Sequence, residues 1–393
     1  LYNKNKTIFI YVPKGIKGKI TIPSSIISIS LKKEINSFQS LFSSYTDGVF
    51  SRCKRLRSIV ISEGVKEIGN YAFYGCDSLI NVEIPSSICK IGDNAFYGCD
   101  ELTNINIPSN VTSIGKKAFA ECYNLKKVEL YSNISKIGEM AFYECKELTN
   151  INISSSITDI GKFSFTSCQA LKSINVDPNN PNYSSIDGVL YDKNKTKLIC
   201  VPAGFDGKIV MPSSVTSIED AASYNCSDLK SITLSSNITN IGENAFVNCV
   251  SLNNLNIPSN VISIGKNAFA GCTGLKNLKI GSGVKTIGRS AFHGCVNLTN
   301  VDIPSSVIDI EQDAFAGCTK LELFRVHPDN PVYTSTDGTL YKAKTELVRV
   351  SKKNKGIFTI PSNITRVAKN AFTGCDKLTS IEIPSSCICS NCI

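Results

Sequence analysis

The chain has 393 residues, 42% of them hydrophobic, with 42 lysines and arginines against 33 acidic residues and a net charge of +9. That composition excludes a disordered chain, and no apolar run reaches the length of a membrane span. The basic residues are scattered, with only short clusters such as Lys352 to Lys355, whereas a nucleic-acid binder gathers them on one face with aromatics between.

Residues 1–52 read as irregular N-terminal coils. "LYNKNKTIFIYVP" at the start matches Leu190 to Pro202, so the chain is expected to begin inside an insert and the native protein to be longer. Residues 31–52, "LKKEINSFQSLFSSYTDGVFSR", fit no repeat and are predicted to form an irregular loop or short helix.

Residues 53–176 form a first repeat block. Cys53, Cys76, Cys99, Cys122, Cys145 and Cys168 stand 23 residues apart. Leu79, Leu102, Leu125, Leu148 and Leu171 follow their cysteines by three, and Ile68, Ile91, Ile114, Ile137 and Ile160 precede the next cysteine by eight. One unit reads C-x-x-L-x-x-I-x-I-P-S-x-V-x-x-I-G-x-x-A-F-x-x. A fixed period with apolar residues in register marks a solenoid, in which each coil buries its apolar side on its neighbours. "LTNINIP" alternates, so Ile105 and Ile107 are predicted inward and Asn104 and Asn106 outward. "VTSIG" is a second short strand, with the glycine allowing a turn. Proline ends the first strand because it has no amide for the ladder. "KKAF" is long enough for one short helical turn. Stacked coils place equal positions about 4.8 Å apart, in parallel sheets.

Residues 177–210 interrupt the period and residues 327–359 interrupt it again in related sequence. "VLYD" or "TLYK", then a polar turn, then "KLICV" or "ELVRV", reads as a β-hairpin substituted into a coil. Between them, residues 211–326 are the second repeat block, with Cys226, Cys249, Cys272, Cys295 and Cys318 on the same step. "FSFTSC" at Phe163 and "AASYNC" at Ala221 depart from the pattern and are expected to pack less tightly. Residues 360–393 are truncated C-terminal coils, ending in the off-phase "CICSNC". The whole, 1–393, is expected to be a single array.

This unit, with its "AF" pair and following cysteine, resembles the BspA-like leucine-rich repeat family over nearly the whole chain. The resemblance implies an α/β leucine-rich-repeat solenoid, predominantly β, with parallel sheets, short helical turns and two β-hairpin inserts. It also implies an extracellular or cell-surface location, since such proteins are typically surface adhesins.

Seventeen cysteines suggest disulfides, metal or redox chemistry, and spacing weighs against all three. A structural zinc site wants four converging ligands, and a constant step gives a line of thiols. Cysteines on neighbouring rungs should run parallel, with Cβ atoms too far apart for a bridge. The ladder is therefore read as small buried apolar residues. Cys89, Cys200, Cys387, Cys389 and Cys392 lie off it; Cys89 takes a threonine or serine place and is expected to be exposed. Neither His293 nor His327 sits in a catalytic motif, and serines recur mainly in the "IPSS" turn. No catalytic, cofactor-binding or metal-binding residue is assigned. Sequons at Asn133, Asn237, Asn297 and Asn363 carry glycans only in a eukaryotic secretory route.

The candidate interaction face is the set of outward strand positions: Asn104, Asn106, Lys127, Glu129, Asn150, Asn152, Asn254, Asn256, Asn277, Lys279, Asn300 and Asp302. Their plain reading is a solvated sheet with stacked asparagines. Tyr183, Tyr191, Tyr333 and Tyr341 on the inserts are the competing candidate contacts. The expected function is a non-catalytic binding or adhesion module for a protein or matrix ligand. A structural stalk presenting another domain is the alternative. No nucleic-acid partner and no membrane insertion are expected, and the chain is expected to be a monomer.

Overall fold

The computed structural model describes residues 12–29 and 48–387. The chain divides into two compact units, Leu1–Lys193 with Pro202–Gly204, and Asn194–Val201 with Phe205–Ile393. Each is a stack of coils whose strands pair in parallel. The expected irregular stretch at 31–52 falls mostly outside the described residues, as do most of the opening "LYNKNKTIFIYVP" and the tail cysteines Cys389 and Cys392.

In the first unit, two-residue strands at Ser28–Ile29, Glu67–Ile68, Lys90–Ile91, Ser113–Ile114, Lys136–Ile137 and Asp159–Ile160 form one six-stranded parallel sheet. The last five pair at the 23-residue register, Lys90 against Ser113 and Ile91 against Ile114. The longer strands pair likewise, Asn104–Asn106 with Lys127–Glu129 and Asn150–Ile153 with Ser173–Val176. The second unit repeats this with Asn254–Asn256 on Asn277–Lys279 and Asn300–Ile303 on Leu323–Val326. Alternation works as the sequence predicts: Ile105 is 3% exposed and Ile107 fully buried, while Asn104 and Asn106 face water. The interior is a stack of rings. Phe50, Phe73, Phe96, Phe119, Phe142 and Phe165 lie nearly parallel at 5.1–5.9 Å, and Phe246, Phe269, Phe292 and Phe315 do so in the second unit. Burying each ring contributes about 1.5–3 kcal/mol, and ring pairing adds about 0.5–1.5.

The predicted helical turn at "AF" is corrected: no helical element occurs among the described residues. Amides there alternate in purpose. Those of Ala72, Tyr74 and Cys76 bond three residues back, to Gly69, Tyr71 and Phe73. Those of Tyr71, Phe73 and Gly75 donate to Asp93, Ala95 and Tyr97 of the next coil. A helix needs every amide to point along one axis within its own segment, so this alternation forbids it. It also requires left-handed backbone just before each "AF" and just before each cysteine, as at Tyr71 (φ 58°) and Glu121 (φ 58°).

The glycine after each isoleucine has a different reason from the turn first assigned to it. A Cβ on Gly115 would stand 2.4 Å from the carbonyl carbon of Gly92, so at that rung the adjacent coils close over glycine, whereas Glu219 and Glu311 hold the same place on other rungs.

The inserts are antiparallel. Tyr183–Ile186 pairs with Val189–Asp192 across an Asp187-Gly188 turn with both residues left-handed, φ 50° and 79°. In the second insert Tyr333–Thr336 pairs with Thr339–Lys342, and that strand with Glu346–Arg349. The predicted hairpin "TLYK"–"ELVRV" is there, with a preceding strand that the sequence reading missed.

Candidate functional site

The cysteine ladder is a structural element. Cys99, Cys122, Cys145 and Cys168 are fully buried, as are Cys249, Cys272 and Cys295 in the second unit. Each thiol donates to a backbone carbonyl one coil before its own, that of the phenylalanine in most coils and of Ser223 for Cys249: Cys76 to Phe50 at 3.0 Å, Cys122 to Phe96 at 3.1 Å, Cys295 to Phe269 at 3.2 Å. The Phe50 carbonyl already accepts the amide of Cys53, so the thiol fills its second lone pair. A small apolar side chain with one weak donor is what that corner admits, which is why cysteine recurs. Burial pushes the Cys122 and Cys168 thiols up to about 12 and holds Cys99, Cys145, Cys249 and Cys272 well above the ordinary range. These are neutral thiols, with none of the electropositive, accessible surroundings that activate cysteine. Among the described residues no cysteine is in a disulfide. Cys89 is exposed, as expected, and its thiol donates to the Lys66 carbonyl in a line continued by Thr112, Ser135 and Thr158. Among the described residues no three His, Cys, Asp or Glu side chains come together to hold a metal ion. Among them too, no helix is long and apolar enough to cross a membrane.

The outward strand positions stand where the alternation places them. Asn104, Asn106, Lys127, Asn150 and Asn152 are exposed and Glu129 is half-buried in the first unit. Asn254, Asn256, Asn277, Lys279, Asn300 and Asp302 are exposed in the second. Within each unit they align rung on rung and bond laterally. Asn175 donates to Asn152 at 3.2 Å, and Asn277 to Asn254 at 2.6 Å. Lys127 pairs with Glu129 at 2.6 Å, and Arg325 with Asp302 at 3.3 Å. The carboxyl of Glu129 is held below its usual range by its bonds from Lys127 and Tyr131. The face is polar, short-chained and ordered by its own hydrogen bonds.

The insert tyrosines divide. Tyr191 and Tyr333 are each 1% exposed, which corrects their assignment as contacts. The inserts replace coils, so some of their aromatics fill core places. The Tyr333 hydroxyl accepts the Ile310 amide at 2.7 Å, and the half-buried Tyr183 hydroxyl accepts the Ile160 amide at 2.9 Å. In both, the tyrosine lies 23 residues after the amide it caps, standing where a further rung would. Asn180 completes the plug: its amide nitrogen donates to Ser154 and Ile157, and its oxygen accepts from Asn182 and Tyr183. Asn330 does the same toward Pro304 and Val307. The shared "N-P-x-Y" of the inserts is thus an end-cap for a parallel sheet. Tyr341 is half-buried and packs on the cluster of Leu347, Val350 and Phe358.

One feature escaped the sequence reading. Tyr74 and Tyr97 stack at 4.9 Å on the loop edge of the first unit, outside the strand positions. Their recurrence one place after the phenylalanine, 23 residues apart, was the available signal.

A family model described as "BspA type Leucine rich repeat region (6 copies)" matches residues 20–122, 43–172, 89–203, 207–322 and 351–392. No curated protein matches. Among solved structures, a leucine rich cell surface protein from Faecalibacterium prausnitzii A2-165 is 28% identical over 93% of this chain and 78% of its own, with a TM-score of 0.59. A leucine-rich repeat protein from Bacteroides ovatus is 26% identical over 94% of this chain and 79% of its own, with a TM-score of 0.57. The pneumococcal vaccine antigen PcpA shares the fold at 20% identity, covering 95% of this chain and 90% of its own, with a TM-score of 0.61.

Proposed function

Because this chain belongs to the BspA-type leucine-rich repeat family, whose solenoids are typically non-catalytic, we propose that it is a binding module of a surface or secreted protein. It contacts a protein or matrix ligand through its outward strand faces and works as a monomer without cofactor. The observation that carries this reading is the register of side chains, eleven of twelve exposed and repeated at one step within each unit. Solenoids offer such extended surfaces to partners. The cell-surface name of the Faecalibacterium neighbour supports the location. Catalysis has no support in the side chains: His293 and His327 are both exposed, and His327 Nδ1 accepts the Asp329 amide at 3.2 Å within its own turn.

The test is direct binding of the full chain to immobilised fibronectin, laminin, collagen and mucin. Joint substitution of Asn254→Glu, Asn256→Glu and Asn277→Glu is expected to weaken any interaction at least tenfold. Unchanged binding removes that face from the proposal. Failure to bind all four ligands favours the stalk alternative.

A further inference from the structure

The first unit carries an edge whose chemistry differs from both its strand face and the overall charge of the chain. Tyr74 and Tyr97 stack with their planes 10° apart. Arg52 lies over Tyr74 at 5.9 Å, and Tyr71 tilts against it at 5.7 Å. The Tyr97 hydroxyl donates to Glu121 of the next coil, and the Tyr123 hydroxyl donates to the same carboxylate at 3.3 Å. Lys146 sits over the Tyr123 ring at 4.3 Å. Asp77 and Asp100 occupy the place after the cysteine on adjacent rungs, with Glu144 one rung beyond Glu121. The period gathers these residues into one row on a chain that is otherwise basic.

We propose that this tyrosine row docks a basic polypeptide segment, whose lysine or arginine charges meet the carboxylates of Asp100 and Glu121 while their aliphatic stems lie against the tyrosines. Three observations select that partner. Aromatic rings beside carboxylates attract cations, and Arg52 and Lys146 already occupy such positions within the chain. The faces of Tyr74 are engaged by Arg52 and Tyr97, which weighs against a sugar ring stacking there. The carboxylates crowd one another: Asp100 is pushed up by burial and then by Asp77, Glu121 and Glu101, partly offset by Lys54, which pairs with Asp77 at 3.0 Å, while Lys146 lies 3.9 Å from Glu144. An incoming cation relieves that repulsion. Tyrosine with arginine is also the composition of strong protein contacts.

The experiment uses the full chain and a fluorescein-labelled octapeptide of alternating lysine and glycine, with a glutamate–glycine octapeptide as control, followed by anisotropy at low and physiological salt. The lysine peptide is expected to bind and the glutamate peptide not. Glu121→Gln and Tyr97→Ser should each weaken binding at least tenfold, with the triple asparagine-face variant unaffected. Glu121→Gln keeps one oxygen to accept the Tyr97 hydroxyl and places an NH2 that can donate to the Tyr123 hydroxyl oxygen, so it reports mainly on charge even where Tyr97→Ser loosens the fold. Equal binding of both peptides, no binding of the lysine peptide, wild-type binding by both variants, or preference for a neutral oligosaccharide such as cellotetraose overturns the proposal. Because the asparagine variant is scored separately, failure here leaves the strand-face reading standing, and the reverse.

Discussion

The loop edges of the two units are built on the same rungs and carry different side chains. In the first, the place after the phenylalanine holds Tyr74, Tyr97, Ala120 and Tyr143; in the second, after Tyr224, it holds Val247, Ala270, His293 and Ala316. The place after the cysteine holds Asp77, Asp100 and Tyr123 in one, and Val250, Thr273 and Val296 in the other. Beneath both edges the interior is the same, with rings at 5.0–5.4 Å and thiols on carbonyls at 3.1–3.2 Å over Phe246 to Cys318. Packing holds the inner places to one solution and leaves the rim free to vary. A rim that carries more aromatic and acidic residues on the first unit, against Tyr224 and Asp376 on the second, is therefore where recognition chemistry stands out from architecture.

The sharpest way to break this comparison is to remove one ring from each interior. Phe119→Ala and Phe269→Ala should each cost about 3–5 kcal/mol in urea unfolding, since each leaves a cavity between two stacked neighbours. Unequal losses would show that the interiors are not equivalent.

Alkaline titration is the next largest test. The thiols of Cys122 and Cys168 lie near 12 when folded and at about 8.5 when unfolded. Their stabilisation is complete below the unfolded value and is lost as pH rises through the folded one. Each should forfeit about 1.4 kcal/mol per pH unit above that lower bound. Cys249 and Cys272, raised in the same direction, should bring the second unit down in the same alkaline range. Circular dichroism from pH 8 to 11 checks this, and a flat profile would refute the neutral-thiol interior.

The smallest effect concerns a place where the second interior falls short. Ser223 replaces a ladder phenylalanine, is fully buried, and its hydroxyl has no hydrogen-bond partner among the described residues. Ser223→Ala should raise stability by about 1 kcal/mol by removing an unsatisfied group. A loss instead would mean the hydroxyl is engaged. A different departure in the first unit, Ser164 in the place of the repeat alanine, donates to the Gly138 carbonyl at 3.0 Å, although the Phe142–Phe165 pair widens to 5.9 Å.

Period and alternation made the rungs, the buried isoleucines and the outward asparagines readable before any coordinates. They could not show that amides beside "AF" reach into the next coil, because that pairing belongs to two coils at once, so a helical turn was the natural expectation. The insert tyrosines misled for a related reason. Outside the repeat, no phase says which way Tyr191 points, and it fills the place of a missing coil. The tyrosine row was legible in principle, since Tyr74 and Tyr97 share one phase, but that phase falls on the rim, outside the alternation that marks the strands.

The alternation of amides along each "AF" turn also bears on how such a chain changes length. Every coil presents to the next the same donors that it received acceptors for, so an added or deleted 23-residue unit meets a matching seam on both sides. Array length becomes a quantity that unequal recombination can alter in whole steps, while "N-P-x-Y" inserts act as punctuation, ending one run of rungs without leaving bare amides behind.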